Sequence, residues 1–174
     1  MVDAWHTTPA SIAADRARLF ARLDELGIAH ITVEHAPMFT VEQSQALREV
    51  LPGAHTKNLF LTDKAEHVML VVAKDDTRVD LKLLASRIKL GRLSFGNAEL
   101  LAKLLGVAPG SVTPFALIND TEKRVTVVVD AALVPFAEVN CHPLDNTAST
   151  RLATPDLLRF IGACGHEPLV LALS

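Results

Sequence analysis

Only two cysteines, Cys141 and Cys164, occur in 174 residues. That is too few for a disulfide framework and suits a reducing cytosol. No apolar run approaches the roughly 18 residues needed to span a bilayer. The opening MVDAWHTTPASIAADR lacks a basic segment followed by an apolar one, so it does not read as a secretory signal, and the expected location is cytoplasmic. The formal net charge is −3. Without a global basic field, neither a membrane nor DNA in general is an expected partner, and any nucleic-acid contact has to be local. HExxH and CxxC are both missing and the seven histidines are scattered, so neither a metal nor another cofactor is expected. Repeats and low-complexity linkers are missing as well.

What is present is the composition of a soluble globular chain, 49% apolar and 21% charged, long enough for one domain with a real core. A single domain over 1–174 is expected, with residues 1–9 frayed. From Pro9 to Leu26 an apolar stripe of Leu19, Phe20, Leu23 and Leu26 predicts a helix stopped by Gly27. HITVEHA (30–36) alternates Ile31, Val33 and His35 against Thr32 and Glu34, as a strand does. VEQSQALREV predicts a short helix ended by Pro52-Gly53. KNLFLTD and HVMLVVA predict two strands joined by a turn at 64–66. Asp80 caps a helix carrying Leu81, Leu84, Ala85 and Ile88 on its inner face. Asn97 caps another, with Leu100, Leu101, Leu104 and Leu105 inside and Gly106 as its stop. FALIND and RVTVVVD read as a hairpin around NDTEK. EVNCHP and TASTRLA give short strands, Thr154-Pro155 opens a last helix, and PLVLAL closes as a strand. The strands are not spaced as regular βαβ units, so the expected class is α+β with a mixed, barrel-like sheet surrounded by helices.

Three places could carry chemistry. Lys57 stands at the mouth of the apolar run Leu59–Leu61. It either snorkels to water or is a compact cation aimed at a phosphate or a developing oxyanion. Asn58 points to the opposite face unless the strand start is bulged. Gly110 to Pro114 is a G-x-x-x-P segment. It is either a plain connection or a turn that brings backbone N–H groups against an anion or a water. In VNCHPL, strand alternation separates Cys141 from His142 and argues against a Cys–His nucleophile pair. Cys141 is expected to fill core, with Asn140 and His142 sharing the other face; a lone histidine of this kind is more often structural than catalytic. Ser94, Ser111 and Ser149 show no Ser–His–Asp arrangement in sequence, although such triads are spatial.

Together HTKNLFL (55–61), GRLSFG (91–96), LGVAPGSVTPFALIND (105–120) and HPL (142–144) resemble the YbaK/prolyl-tRNA editing-domain family, most of all its freestanding members that remove alanine from mischarged proline tRNA. The resemblance covers the chain from about Leu19 to the C-terminal strand. It implies a mixed sheet curled into a barrel and a metal-free hydrolase of an aminoacyl ester. It implies catalytic roles for Lys57, Gly110 and His142, and substrate contacts from Asn58, Ser111 and Pro114. His35 and Met38 fall on the wall of the implied pocket, where the family often has His-Pro-Pro and this chain has HAPMF. The implied partners are the 3′ end and acceptor stem of an aminoacyl-tRNA, with prolyl-tRNA synthetase as a further candidate. In the family, proton handling is assigned partly to a ribose hydroxyl of the tRNA, which accounts for a missing triad. Relatives that remove cysteine or other small amino acids, and a noncatalytic tRNA- or synthetase-binding module, are the alternatives.

Overall fold

A computed structural model describes residues 9–37 and 41–174; Met38 and residues 1–8 lie outside them. Helix α1 (Pro9–Glu25) buries Leu19 and Leu23, one turn apart. Gly27 ends it at φ +69°, where the N–H groups of Gly27 and Ile28 turn back to the carbonyls of Asp24 and Leu23. The order continues β1 (His30–Glu34), α2 (Val41–Val50), β2 (Ala54–Thr62), β3 (Val68–Lys74), α3 (Leu81–Arg87), β4 (Ser94–Phe95) and α4 (Ala98–Leu105). Then come β5 (Val125–Asp130), β6 (Glu138–Cys141), β7 (Ala148–Ala153), α5 (Thr154–Ala163) and β8 (Leu169–Leu171).

The strands form one mixed sheet in the order β1-β7-β6-β2-β3-β5-β8, with β4 pairing β2. β2 runs parallel to β6 and antiparallel to β3; β5 lies parallel to both β3 and β8. The end strands β1 and β8 do not pair, so the α+β class holds and the sheet is barrel-like only in a loose sense. The centre is apolar on both faces, as a sheet covered on both sides requires. Phe60, Leu70, Val72 and Val127 pack with α1, α4 and α5 in one cluster. Leu61, Met69, Val71 and Val128 pack with Leu84, Ala85 and Leu93 in a second.

One expectation is corrected. Phe115–Asp120 is no hairpin strand: Pro114–Asn119 winds as a 3-10 helix. Pro114 fixes φ and has no N–H to give a ladder, and the Thr113 hydroxyl caps the turn by accepting from the Phe115 N–H at 3.3 Å. Asp120 then accepts from the N–H groups of Arg124 and Val125, which closes the loop into β5. In β1, which stops at Glu34, the apolar residues of the alternation face outward. Ile31 is 54% exposed, while the Thr32 hydroxyl shares a 2.7 Å hydrogen bond with that of Thr150.

Candidate active site

β2 and β6 pair through only two positions, Ala54↔Val139 and His55↔Asn140. β2 then runs on with β3, while β6 ends at Cys141. The parting strands leave a cleft of about 120 Å³ whose wall includes His55, Thr56, Asn140, Cys141, His142 and Ser149. Leu47 and Arg48 of α2 and Asp75 complete it, with Arg48 and Asp75 joined as an ion pair. Where the ladder stops, side chains take over. The Thr56 hydroxyl donates to the Asn140 carbonyl at 2.8 Å. Asn140 donates through Nδ2 to the carbonyls of Pro52 (2.9 Å) and Ala54 (3.2 Å). Both partners only accept, so the amide orientation is fixed, and its Oδ1 is left buried without a partner.

The histidines are similarly oriented. His142 Nδ1 lies 3.2 Å from the Ala148 carbonyl and must carry the proton, which leaves Nε2 as an acceptor. Burial pushes the His142 pKa below its ordinary value. The Ala148 carbonyl opposes this, His35 adds to it, and Asp145 opposes it. The ring is therefore neutral at pH 7. His35 Nδ1 donates to the Ala36 carbonyl at 2.8 Å, so its Nε2, 2.9 Å from Ser149 Oγ, accepts the serine proton. A Ser–His pair thus forms from residues 114 positions apart, with Ser149 on the cleft wall and His35 outside its lining. The connection between β6 and β7 is anchored from α1: Arg16 donates to Asp145 at 2.8 Å, to Thr147 Oγ1 at 2.7 Å and to Glu34 at 2.7 Å.

Lys57 is half-buried and has no hydrogen bond or ion pair among the described residues. It lies two positions beyond His55 on the same face of β2, about 7 Å along the strand, opposite Ala73. Between Thr56 and Leu59, β2 is paired only on its β3 side, because β6 has ended and β4 begins at Leu61. Lys57 and Asn58 occupy this open stretch rather than the wall of the cleft. The register from Thr56↔Lys74 to Thr62↔Val68 is unbroken, so there is no bulge, and Lys57 and Asn58 point to opposite faces. Asn58 Oδ1 is buried without a partner, a state that costs about 1–3 kcal/mol in the absence of a ligand donor.

Gly110 sits exposed in a 3-10 turn, Pro109–Ser111, beside the cleft segment rather than in the cleft. Its φ is not in the left-handed region, so the glycine-specific turn expected there is not used. An added Cβ would meet only Asn146 Nδ2, at 3.5 Å. Ser111 and Pro114 are buried. Thr113 ties the loop to the histidine by donating to the His142 carbonyl at 2.7 Å. Cys141 is buried in the main cluster and also touches the cleft, so alternation does not separate it from His142; β6 ends between them. Its thiol is nonetheless pushed up to about 12 by burial, which leaves almost no thiolate at neutral pH. Among the described residues no group of three or more His, Cys, Asp or Glu is placed to hold a metal ion. His55 and Thr56 open the HTKNLFL motif but drew no role of their own in the sequence, and Ser149 was one serine among three with nothing in spacing to single it out.

Residues 35–160 match the sequence profile of the aminoacyl-tRNA editing domain, a span that contains the cleft-lining residues, Lys57 and the Gly110 loop. The chain belongs to the aminoacyl-tRNA editing family. It is 38% identical over 149 residues to the prolyl-tRNA editing protein ProX of Acetoanaerobium sticklandii, covering 85% of this chain and 91% of that one. It is also 38% identical over 159 residues to the prolyl-tRNA synthetase associated domain-containing protein 1 of Danio rerio, covering 90% and 86%. A solved structure described as a candidate trans-editing enzyme for prolyl tRNA synthetase superposes with a TM-score of 0.70 at 20% identity, over 97% of this chain and all of the other. That last likeness concerns the editing fold alone.

Proposed function

We propose that the chain is a cytoplasmic trans-editing hydrolase that removes alanine from mischarged proline tRNA by cleaving the aminoacyl ester. The observation that carries this reading is a small cleft, with His142 neutral and oriented as an acceptor, beside an unpaired lysine. The cleft is small, about 120 Å³. A second, smaller sieve is what a synthetase pocket built for proline requires, since binding alone rejects a smaller side chain poorly.

In this mechanism Lys57 faces the anionic 3′ end of the tRNA and stabilises charge developing on the ester. An aminoacyl ester is already activated, so placing a water matters more than a strong nucleophile. His142 Nε2 accepts a proton from that water or from the neighbouring ribose hydroxyl. The backbone of the Gly110 loop, tied to His142 through Thr113, borders the ester. The Ser149–His35 pair favours a second reading, in which Ser149 attacks the ester and an acyl-serine is hydrolysed in a later step.

Deacylation of alanyl-, cysteinyl- and prolyl-charged proline tRNA tests the proposal. Turnover of the alanyl species alone is expected. Preference for the cysteinyl species would reassign the substrate within the same chemistry. No turnover of any of the three would make the chain a noncatalytic binding module. Hydroxylamine trapping of an acyl-enzyme during alanyl turnover, lost in Ser149→Ala, would select the covalent route.

A further inference from the structure

The chain is acidic overall, yet residues 78–92 carry Arg78, Lys82, Arg87, Lys89 and Arg92 against a single acid, Asp80. That is five of the 17 lysines and arginines and one of the 20 acids. All five cations are exposed, and none has an ion pair among the described residues. The carboxylate of Asp80 is engaged as the cap of α3, accepting from the N–H groups of Lys82 and Leu83. The five charges therefore have no internal purpose in the described fold.

Their placement relates them to Lys57. Leu81, Ile88 and Leu90 of this segment pack against the second cluster together with Leu59, which is two positions from Lys57 on the same face of β2. Lys82 and Arg92 stand on one open groove of about 770 Å³ floored by Leu81, Ala85, Leu90 and Leu93. Lys89 adds a conformational oddity. It closes α3 at φ +58°, with its N–H and that of Leu90 turning back to the carbonyls of Ser86 and Ala85. Glycine is the favoured residue at such a helix end. A lysine there gives up some stability and places an exposed charge next in the chain to Leu90, which floors the groove.

We propose that the face built by residues 78–92 receives the sugar-phosphate backbone of the tRNA acceptor stem while the 3′ end continues to Lys57. The proposal rests on the tRNA-editing reading above. Its chemistry is counterion release: each phosphate neutralised by a lysine or arginine adds to affinity and to its salt dependence, with little sequence preference.

The test is binding of uncharged proline tRNA to the full chain, followed by fluorescence anisotropy across a salt series. Lys82→Gln and Lys89→Gly should each weaken binding about five- to tenfold near 0.1 M salt and reduce the slope of log K against log salt by about 1. Lys64→Gln, in the exposed β2–β3 turn, should change neither. Lys89→Gly also separates binding from folding, because it should keep or raise the melting temperature while losing affinity. Wild-type affinity and slope in both variants, with the parent still binding and deacylating, would overturn this surface and leave the editing reading standing. A parent protein that neither binds nor deacylates would overturn both.

Discussion

One strand holds the core and the candidate site side by side. At Leu61 and Thr62, β2 is paired with β3 on one edge and β4 on the other, and the adjacent Phe60 is buried under Gly96, whose N–H donates to the Phe60 carbonyl. Three residues earlier, at Lys57, only the β3 edge is paired. The covered half is apolar and satisfied. The uncovered half has a lysine without a partner and an asparagine oxygen without a donor. Backbone conformation is the same in both halves; what differs is whether a neighbouring strand consumes the polar groups. The half that lacks a neighbour retains groups for a ligand, and the cleft continues from it.

Substitutions in the two halves should therefore fail differently. Phe60→Ala removes a ring from the main cluster and should cost about 3–5 kcal/mol of folding free energy, read by urea denaturation, with normal turnover per folded molecule. Lys57→Ala should lower the deacylation rate about 10²–10³-fold with an unchanged denaturation midpoint. A destabilised Lys57→Ala protein would erase the distinction between the halves, and near-normal single-turnover rates would remove Lys57 from the mechanism.

The pH profile sharpens the comparison from the cleft side. Burial lowers the His142 pKa, so the unfolded chain takes up this proton more readily than the folded one below about pH 6.5. The stability it contributes is complete above that pH and is lost as the pH falls through the depressed folded value. The acid limb of kcat/KM should lie below pH 6.5 and disappear in His142→Gln. A smaller effect is expected at Cys141. Cys141→Ala should keep most activity and cost about 1 kcal/mol in stability, and thiol reagents should not inactivate the parent. The smallest change in fold is at Gly110. With ordinary φ and an open approach, Gly110→Ala should melt with the parent, so any fall in deacylation rate reports contact with the ester.

The elements were legible where one signal dominated. Asn97 and Gly106 bound α4 as their side-chain and backbone preferences predict, and Asp80 caps α3. Phe115–Asp120 misled because a buried apolar run looks alike in a strand and in a packed 3-10 turn; Pro114 and the Thr113 cap made the difference. β1 was legible as a strand, but alternation says that two faces differ, not which one is buried. At the candidate site, Lys57 and His142 stood out through their motifs. Ser149, His35 and Thr56 meet only through the sheet order, which places β6 beside β2 and β7 beside β1, and no local pattern encodes that adjacency.

The Arg16–Asp145 contact also has a temporal consequence. Its partners are 129 positions apart in sequence, and Thr147, which shares the same guanidinium, is 131 away. On a ribosome, Arg16 emerges first and waits while most of the domain is made, because such a long-range contact forms only after its distant partner is available. The histidine-bearing wall of the cleft is therefore among the last parts to be anchored. A nascent chain stalled before Asp145 carries Lys57 but lacks β7, α5 and β8, and with them Leu152, Leu157, Phe160 and Ile161 of the main cluster, so the cleft and the core that supports it are completed together.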